Sequence, residues 1–294
     1  MATTVTTGFN GSLAGEIFVQ AFLKTDTISK NAITVLPNVI GNGYLPKISY
    51  TASLQAYACG FTPAGTLAYN EKLVTTKPFM IQDSFCSKDF ARTFAAQALG
   101  LFGTNKEIPT TIQDAILLTM VSSMGQILDD EIWNGLGADA TSIDGLLKQF
   151  NADAAVQKVV LPATTVANVV ENIESVYNLV IPAVEDADDL VIVVGKSVAK
   201  KYKQAQAAMG INTTVGDKEL DYLGVRIESI GGLPADAICI YRVSNVNLLT
   251  ALESELNEVI IDERVIEGDT RTKMAFTIGV GYSFGEEIVL GEIA

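Results

Sequence analysis

The sequence predicts an α+β protein, and three stretches support this fold class. Residues 47–57 alternate between polar and apolar side chains, which is the two-residue period of a strand with one wet face. Residues 112–128 place apolar side chains three and four positions apart, which is the period of one helix face. Residues 164–210 run as a helix-like, a strand-like and again a helix-like segment, which indicates an α/β subdomain.

The alternating stretch predicts a long hairpin. Ile48, Tyr50 and Leu54 share one face of its first strand, and Lys47 and Ser49 share the other. A turn rich in Gly and Pro follows at residues 60–65, and a second strand returns through residues 66–77. Because a lone two-stranded hairpin is only marginally stable in water, it must either pack on its own domain or reach another chain. Both interpretations are open.

The residues before the hairpin, 1–44, are rich in Thr, Asn and Gly. They contain one short helical patch at residues 12–22, which needs the main body or a neighbouring subunit to cover its apolar side. Asn42-Gly43 predicts a turn just before the first strand.

One long helix is predicted from Thr110 to about Trp133. Thr110 is a suitable N-cap, and Gln113 stands three residues later, where a capping-box partner belongs. Asn134-Gly135 and Gly137 predict its end, because both residue types accept the left-handed conformation that closes helices. Phenylalanines between residues 79 and 102 predict core, with a short helix at 89–101 lying against the long one.

The segment after residue 150 predicts an α/β lobe. A strand is expected at 158–162, a helix capped by Thr164 or Thr165 that runs to about residue 181, and a loop at 186–189. A buried strand follows at 190–194, and Gly195-Lys196-Ser197 opens a helix that ends near residue 210. These three residues are not a phosphate loop, because position 190 is Leu where that motif needs Gly. Ser197 is expected to cap the helix instead.

The remaining residues predict strands that are joined by glycine turns. Residues 223–227 are a turn into a strand, 231–234 a loop and 237–243 a strand. Three more strand-like runs are expected at 259–266, 272–280 and 283–290, with a turn at Gly268-Asp269.

Composition excludes several classes of function. The chain has 294 residues, 34 acidic and 20 basic, and a net charge of −14, so a broad basic face for nucleic acid is not indicated. It contains no histidine, which excludes Ser-His-Asp and Cys-His catalysis and histidine-based metal sites. Cys59, Cys86 and Cys239 are far apart, so neither a zinc site nor a disulfide framework is indicated. The N-terminus lacks a secretory signal and no apolar run is long enough to span a bilayer, so we expect a cytoplasmic chain without a membrane partner.

The acidic run Asp129-Asp130-Glu131 is the one candidate site that the sequence singles out. It lies at the predicted C-terminal end of the long helix, where the helix dipole disfavours negative charge. One interpretation is an inter-subunit salt bridge to Arg264 or Arg271 of a neighbouring copy, and the other is a solvated helix end. A Ca²⁺ site is weakly supported here, and also at Asp186, Asp188 and Asp189, because the spaced ligands of a calcium loop are absent. No catalytic, cofactor or metal residues are predicted.

The order of these segments resembles the major capsid protein of tailed phages, which has the HK97 fold. The features that support this resemblance are the hairpin, the long helix, the loop Gly135-Leu136-Gly137, the segment Ile143-Asp144-Gly145-Leu146-Leu147, the α/β lobe and the returning strands. This resemblance implies an N-terminal arm (1–44), an E-loop hairpin (45–80), a P-domain with the spine helix (81–150), an A-domain (151–254) and P-domain returning strands (255–294). Arg226-Ile227 depart from the family's Pro-Val pattern in the A-domain.

The function that this resemblance implies is structural and not enzymatic. Copies would form hexamers and pentamers of an icosahedral virion shell that encloses double-stranded DNA without sequence-specific binding. Assembly would take place in the host cytoplasm with a separate scaffolding protein and a portal. The first alternative is an encapsulin-type nanocompartment shell, which has the same fold. The second, from another class, is a histidine-free enzyme that acts through carboxylates and would have a concave acidic pocket.

Overall fold

The computed structural model describes residues 26–57, 59–60, 63–86, 125–210, 220–251, 259–264 and 269–293. In this part of the chain the α-helices are α1 (Asp26–Ser29), α2 (residues 125–134), α3 (Leu146–Ala152), α4 (Val169–Tyr177), α5 (Pro182–Glu185) and α6 (Lys196–Ala208). The strands are β1 (Thr34–Leu36), β2 (Asn42–Thr51), β3 (Thr66–Thr75), β4 (Lys77–Cys86), β5 (Gln157–Leu161), β6 (Leu190–Gly195), β7 (Leu220–Tyr222), β8 (Val225–Ile230), β9 (Ile238–Arg242), β10 (Val246–Thr250), β11 (Val259–Arg264), β12 (Asp269–Tyr282) and β13 (Val289–Ile293). The predicted α+β class is confirmed.

The strands form three sheets. In a five-stranded sheet, the long strand β12 pairs antiparallel with β10, β11 and β4, and β1 pairs parallel with β10. A six-stranded sheet has the order β5-β13-β9-β6-β8-β7. The third sheet is the hairpin of β2 and β3, which pair in register from Asn42 opposite Thr75 to Thr51 opposite Thr66.

The core lies on both faces of the six-stranded sheet. Strand β6 is buried at all six positions, as its uninterrupted apolar run predicts for a strand that is covered twice. Its residues Val191 and Val193 join a large cluster with Trp133, Phe150 and the five-stranded sheet. Its alternate residues join a second cluster, in which helices α4 and α6 cover the opposite face.

The end of the long helix is confirmed. Helix α2 ends at residue 134, one residue beyond the expected Trp133, and Gly135 follows. A Cβ at Gly135 would lie 2.4 Å from the Ile143 carbonyl oxygen, so only glycine permits the loop to return this closely. The start of this helix at Thr110, the helices at 12–22 and 89–101, and much of the phenylalanine stripe lie outside the described residues.

The hairpin differs from the prediction in its bounds and its turn. The first strand covers residues 42–51 and not 47–57, and the second ends at Thr75. Asn42-Gly43 is not a turn but the start of β2. Positive φ angles, which are typical of turns, occur earlier, at Asn38 (68°) and Gly41 (82°).

The α/β lobe has the predicted element order, with corrections at the helix ends. The N-cap of α4 is Asn168 and not Thr164 or Thr165, although the Thr165 hydroxyl accepts a hydrogen bond from the Asn168 N–H in the turn before the helix. Helix α4 ends at Tyr177 and not near residue 181, and a separate helix starts at Pro182. Ser197 is not the cap of α6, because Gly195 occupies the N-cap position and makes no side-chain bond. Leu223 and Gly224, with φ angles of 50° and 85°, form the predicted turn between β7 and β8.

The last strand is the largest correction. Residues 283–290 do not form a strand: Gly285–Glu287 is a 3₁₀ turn, and β13 begins at Val289. Strand β13 was also expected among the returning strands, but it does not join β11 and β12 in the five-stranded sheet. It pairs parallel with β5 and antiparallel with β9 inside the six-stranded sheet. Strands β1, β4 and β10 had no counterpart in the sequence prediction.

Candidate assembly surface

The hairpin of β2 and β3 presents its apolar face to solvent. Directly opposed residues of antiparallel strands share a face, so the register places six large side chains together. They are 52% to 67% exposed, and they are Tyr44, Ile48, Tyr50, Leu67, Tyr69 and Leu73. We call this set the outer face. The predicted alternation of polar and apolar residues is therefore correct. The body of this subunit covers the face of the hairpin that lies opposite the outer face.

The inner face of the hairpin carries Leu45, Lys47, Lys72 and Val74, and it contacts the body of the subunit. Leu45 and Val74 are buried against Leu249 of β10. A Cβ at Gly281 would lie 2.3 Å from the Val74 side chain, so glycine in β12 permits this close approach. The hairpin is thus attached at its root by a small apolar cluster.

Both lysines of the inner face contact the end of β12 and the turn after it. The Lys72 ammonium lies 3.1 Å from the centre of the Tyr282 ring and 4.0 Å from the Asp153 carboxylate, and the Tyr282 hydroxyl donates to Asp153 over 2.7 Å. Burial lowers the pKa of Lys72 to about 8. The Lys47 ammonium lies 3.2 Å from the Glu286 carboxylate and 5.1 Å from the centre of the Phe284 ring.

Asp129, the first candidate of the acidic run, is buried inside the subunit. Its carboxylate accepts hydrogen bonds from the backbone N–H groups of Asp26 and Thr27 at 3.0 and 3.2 Å. Burial raises the pKa of Asp129, although the hydrogen bonds from Thr27 and Asp26 lower it. Its partners are 102 and 103 residues away in sequence, so no local pattern could have identified them.

Residues 26–36, which we call the strap, connect helix α2 to the six-stranded sheet. Asp26 forms an ion pair with Lys196 at 2.9 Å, and Lys30 donates to the carbonyl of Ser229. The Arg226 guanidinium donates to the carbonyl oxygen of Asn31 over 2.6 Å. The departure of Arg226 from the family pattern therefore has a structural role in this chain.

The other residues of the acidic run also have partners within the chain. Asp130 accepts a hydrogen bond from the Asn134 amide at 2.7 Å. Glu131 accepts from the Ser142 hydroxyl at 2.9 Å, which ties the helix end to the glycine loop. Arg271 is exposed on β12 directly opposite Asp262, and Arg264 lies at the end of β11. The described residues do not bring Asp129 or Glu131 together with either arginine, and an inter-subunit salt bridge stays a prediction.

Two other features bear on the alternatives. A cavity of about 360 Å³ is lined by Asp26, Asp129, Asp130 and Lys196, together with Gln126 and three glycines, but its buried carboxylate is engaged by the strap.

In the described part of the chain, no cluster of three metal-ligating side chains is present, and Asp189 pairs with Arg242 at 2.9 Å. Cys59 is exposed and Cys239 is buried, and both are free thiols. None of the described helices has the length and hydropathy that crossing a bilayer requires.

Comparison with solved structures assigns the fold. A chain of the satellite phage P4 procapsid, a structure that includes the size determination (Sid) protein, superimposes with a TM-score of 0.62 at 16% identity, over 96% of this chain and 91% of that chain. A chain of Gordonia phage Cozz gives 0.60 at 13% identity, over 92% and 87%. The chain has the HK97-like capsid fold. A third structure with this fold, a virus-like particle from Pyrococcus furiosus, gives 0.55 at 10% identity, over 95% and 98%.

The HK97-like fold is conserved here without detectable sequence relationship. No protein-family model matches the sequence, and no curated protein is similar to it.

Proposed function

We propose that this chain is the major capsid protein of a tailed phage, and that its copies form the hexamers and pentamers of an icosahedral shell. The observation that carries this proposal is the exposed outer face of the hairpin, on a chain with a capsid fold. Six large side chains on two adjacent strands are too many to leave in water without a function. A second copy of the chain is the partner that a shell supplies at every position.

The hairpin supports a contact between copies for a second reason. In the described residues, β2 and β3 pair only with each other, and such a ribbon is marginal alone. Leu54 and Tyr57, in the connection between the two strands, are fully exposed as well. Covering this ribbon with a neighbouring subunit would bury apolar area at about 25 cal/mol per Å².

We propose that the shell encloses double-stranded DNA and does not bind it by sequence. The net charge of −14 argues against tight binding of phosphate by each subunit, because that affinity requires many basic contacts. A closed shell retains its genome by enclosure. The same proposal includes a portal, a virion location and assembly in the host cytoplasm, with a separate scaffolding protein. The P4 procapsid structure includes a second protein, the size determination (Sid) protein, which supports a role for accessory proteins in assembly.

Within this proposal, we keep most of the domain division that the resemblance implies. Residues 1–44 are assigned to the arm, 45–80 to the E-loop and 81–150 to the P-domain. Residues 151–245 are assigned to the A-domain, whereas β10 is assigned to the P-domain because it pairs with β12 in the five-stranded sheet. Residues 255–282 are assigned to the returning P-domain strands, whereas β13 is assigned to the A-domain because it pairs within the six-stranded sheet. Asp129, Asp130, Glu131, Arg264 and Arg271 remain candidates for contacts between copies, although the burial of Asp129 argues against its participation.

A nanocompartment shell is the second candidate and has less support, since the structures of similar fold are phage capsids and a virus-like particle. The two candidates differ in cargo and not in subunit architecture. An enzyme acting through carboxylates has little support, because the acidic cavity contains a carboxylate that the strap already binds.

The experiment that tests the proposal is size-exclusion chromatography with light scattering, followed by electron microscopy of the heaviest fraction. We expect megadalton particles, or hexamers and pentamers that close into shells. Nuclease-protected DNA in native particles supports the phage capsid, whereas a protein cargo supports the nanocompartment. A monodisperse monomer or dimer at all concentrations, even with co-expressed candidate scaffolds, contradicts both.

A further inference from the structure

We propose that Lys47 and Lys72 are positioning residues for assembly: together they fix the direction in which the hairpin leaves the subunit, and thereby the curvature of the shell. This inference rests on the proposed shell function and names the device that orients its main contact surface. We call the two lysines, with Asp153, Tyr282, Phe284 and Glu286, the clamp.

The first step concerns how little else attaches the hairpin to its body. The apolar root consists of Leu45 and Val74 against Leu249, with Leu36 and Val39 partly buried beside them. From residue 48 outward, the described side chains of β2 are exposed. A small root at one end of a ribbon of ten paired residues leaves the direction of the ribbon to whatever contacts lie next to the root.

The second step is that the next contacts along the inner face are the two lysines. They are the only cationic residues in the sequences of β2 and β3, and both are on the inner face. Lys72 stands on β3 and Lys47 on β2, so the body holds both strands of the ribbon. Contacts to both strands oppose rotation about the root more effectively than a contact to one strand does.

The third step is the geometry of each contact. Lys72 contacts the Tyr282 ring at 3.1 Å, and Asp153 binds both the Tyr282 hydroxyl at 2.7 Å and the Lys72 ammonium at 4.0 Å, so the three groups form a closed set. With a pKa of about 8, Lys72 keeps its charge at neutral pH, which the cation–π contact requires. Lys47 adds Glu286 at 3.2 Å and Phe284 at 5.1 Å.

The last step links this geometry to curvature. The partners of the two lysines belong to the body of the subunit: Tyr282 ends β12, Phe284 and Glu286 lie in the turn after it, and Asp153 follows helix α3. A change in the hairpin direction moves the outer face relative to that body. Because the outer face is the proposed contact with the neighbouring copy, the angle between two copies changes with it.

The test uses the full chain and four variants. Lys47→Gln/Lys72→Gln removes both charges and leaves polar side chains that are one atom shorter, and Lys47→Arg/Lys72→Arg keeps the charges. Lys148→Gln is the matched control, because it removes a surface lysine that pairs with Asp144 away from the hairpin. Asp153→Asn/Glu286→Gln weakens the clamp from the body side and serves if the double lysine variant does not fold.

Two measurements are made on each variant. Hydrogen exchange on unassembled subunits measures the order of residues 42–51 and 66–75, and electron microscopy measures the particle diameter. For Lys47→Gln/Lys72→Gln and for Asp153→Asn/Glu286→Gln, we expect hydrogen exchange in the hairpin to become about tenfold faster or more. Exchange in the two large sheets should stay unchanged. We also expect diameters to shift or broaden, whereas the arginine variant and Lys148→Gln resemble wild type.

Unchanged hairpin exchange overturns the proposal, and so does faster exchange in shells of wild-type diameter, since the clamp would then not set the curvature. Failure of the shell function is distinguishable. If the wild-type chain forms no shells, the proposed function fails, and the exchange measurement alone decides whether the clamp orders the hairpin.

Discussion

The indole N–H of Trp133 donates a hydrogen bond to the hydroxyl of Thr27 over 2.9 Å, and the two residues are 106 positions apart in sequence. Both side chains are completely buried. Trp133 is the largest fully buried residue in the described part of the chain, and its ring lies 6.3 Å from that of Tyr241. The strap is therefore bonded to the centre of the core and not only to the surface of helix α2.

This bond predicts the effect of Thr27→Val, which has nearly the shape of Thr but no hydroxyl. The buried indole N–H would lose its partner, and we expect the free energy of unfolding to fall by about 1–3 kcal/mol in urea denaturation. Thr141→Val is the matched control, because its hydroxyl is exposed and bonds only locally to Asp139. We expect that control to stay within about 0.5 kcal/mol of wild type. Equal losses in both variants would contradict the importance of the buried bond.

Removal of the buried carboxylate should release the strap. In Asp129→Ala, the N–H groups of Asp26 and Thr27 lose their acceptor, which costs about 1–3 kcal/mol. We expect hydrogen exchange in residues 26–36 to accelerate more than exchange in β6. Asp130→Ala is the control, since the neighbouring carboxylate is exposed and bonds only to a side chain. A strap that exchanges at the wild-type rate in Asp129→Ala would show that Asp129 does not hold it.

A charge on the outer face of the hairpin should prevent assembly and leave the subunit folded. Ile48→Asp would place a carboxylate in the contact between copies, where its desolvation is unfavourable, and we expect the particle yield to fall about tenfold or more. Ser49→Asp adds the same charge on the next residue of the strand, on the opposite face, and should assemble. Circular dichroism checks that both variants fold. Normal assembly of Ile48→Asp would remove the outer face from the proposed interface.

Asp153 should make the stability of the protein depend on acid pH. The Ala155 N–H, the Tyr282 hydroxyl and the Lys72 ammonium lower the pKa of Asp153 below its usual value, against the effect of its partial burial. A carboxyl with a lower pKa in the folded state stabilises the fold above its unfolded pKa of about 3.9, and this stabilisation is lost as the pH falls through the folded pKa.

The corresponding measurement is urea denaturation of wild type and Asp153→Asn between pH 7 and pH 2.5. We expect wild type to be the more stable protein at pH 7 and the difference to shrink below pH 3.9. Asp186→Asn, at an exposed loop position, should follow the wild-type curve. Parallel curves for wild type and Asp153→Asn would exclude the predicted coupling.

Local periodicity predicted much of the fold because its signals are contained within single elements. The run Leu190–Val194 predicted a buried strand, and Asn134-Gly135 predicted the end of the long helix. The alternation of polar and apolar residues predicted the hairpin. It did not predict which face contacts the body of the subunit, because the inner face carries Lys47 and Lys72 where an apolar contact is expected. Which face another chain covers is a property of that chain as well.

The rest depended on contacts between distant segments. The parallel pairing of β1 with β10 joins Thr34 to Asn247, and three-residue strands such as β1 carry too few positions for a period. The sequence around Asp129 indicated a solvated or inter-subunit carboxylate. Its partners are backbone N–H groups in the strap, and backbone groups leave no signal in the sequence. Gly232 stood in an ordinary loop pattern, yet a Cβ there would lie 2.2 Å from the Asp129 carbonyl oxygen.

The position of β13 has a consequence for the synthesis of the protein. Residues 289–293 enter the six-stranded sheet between β5 and β9, so the sheet is divided until this strand arrives. The lobe therefore cannot close until residue 293 has left the ribosome, and until then β5 and β9 have open edges. A chain that stops before β13 has a six-stranded sheet that stays divided between β5 and β9.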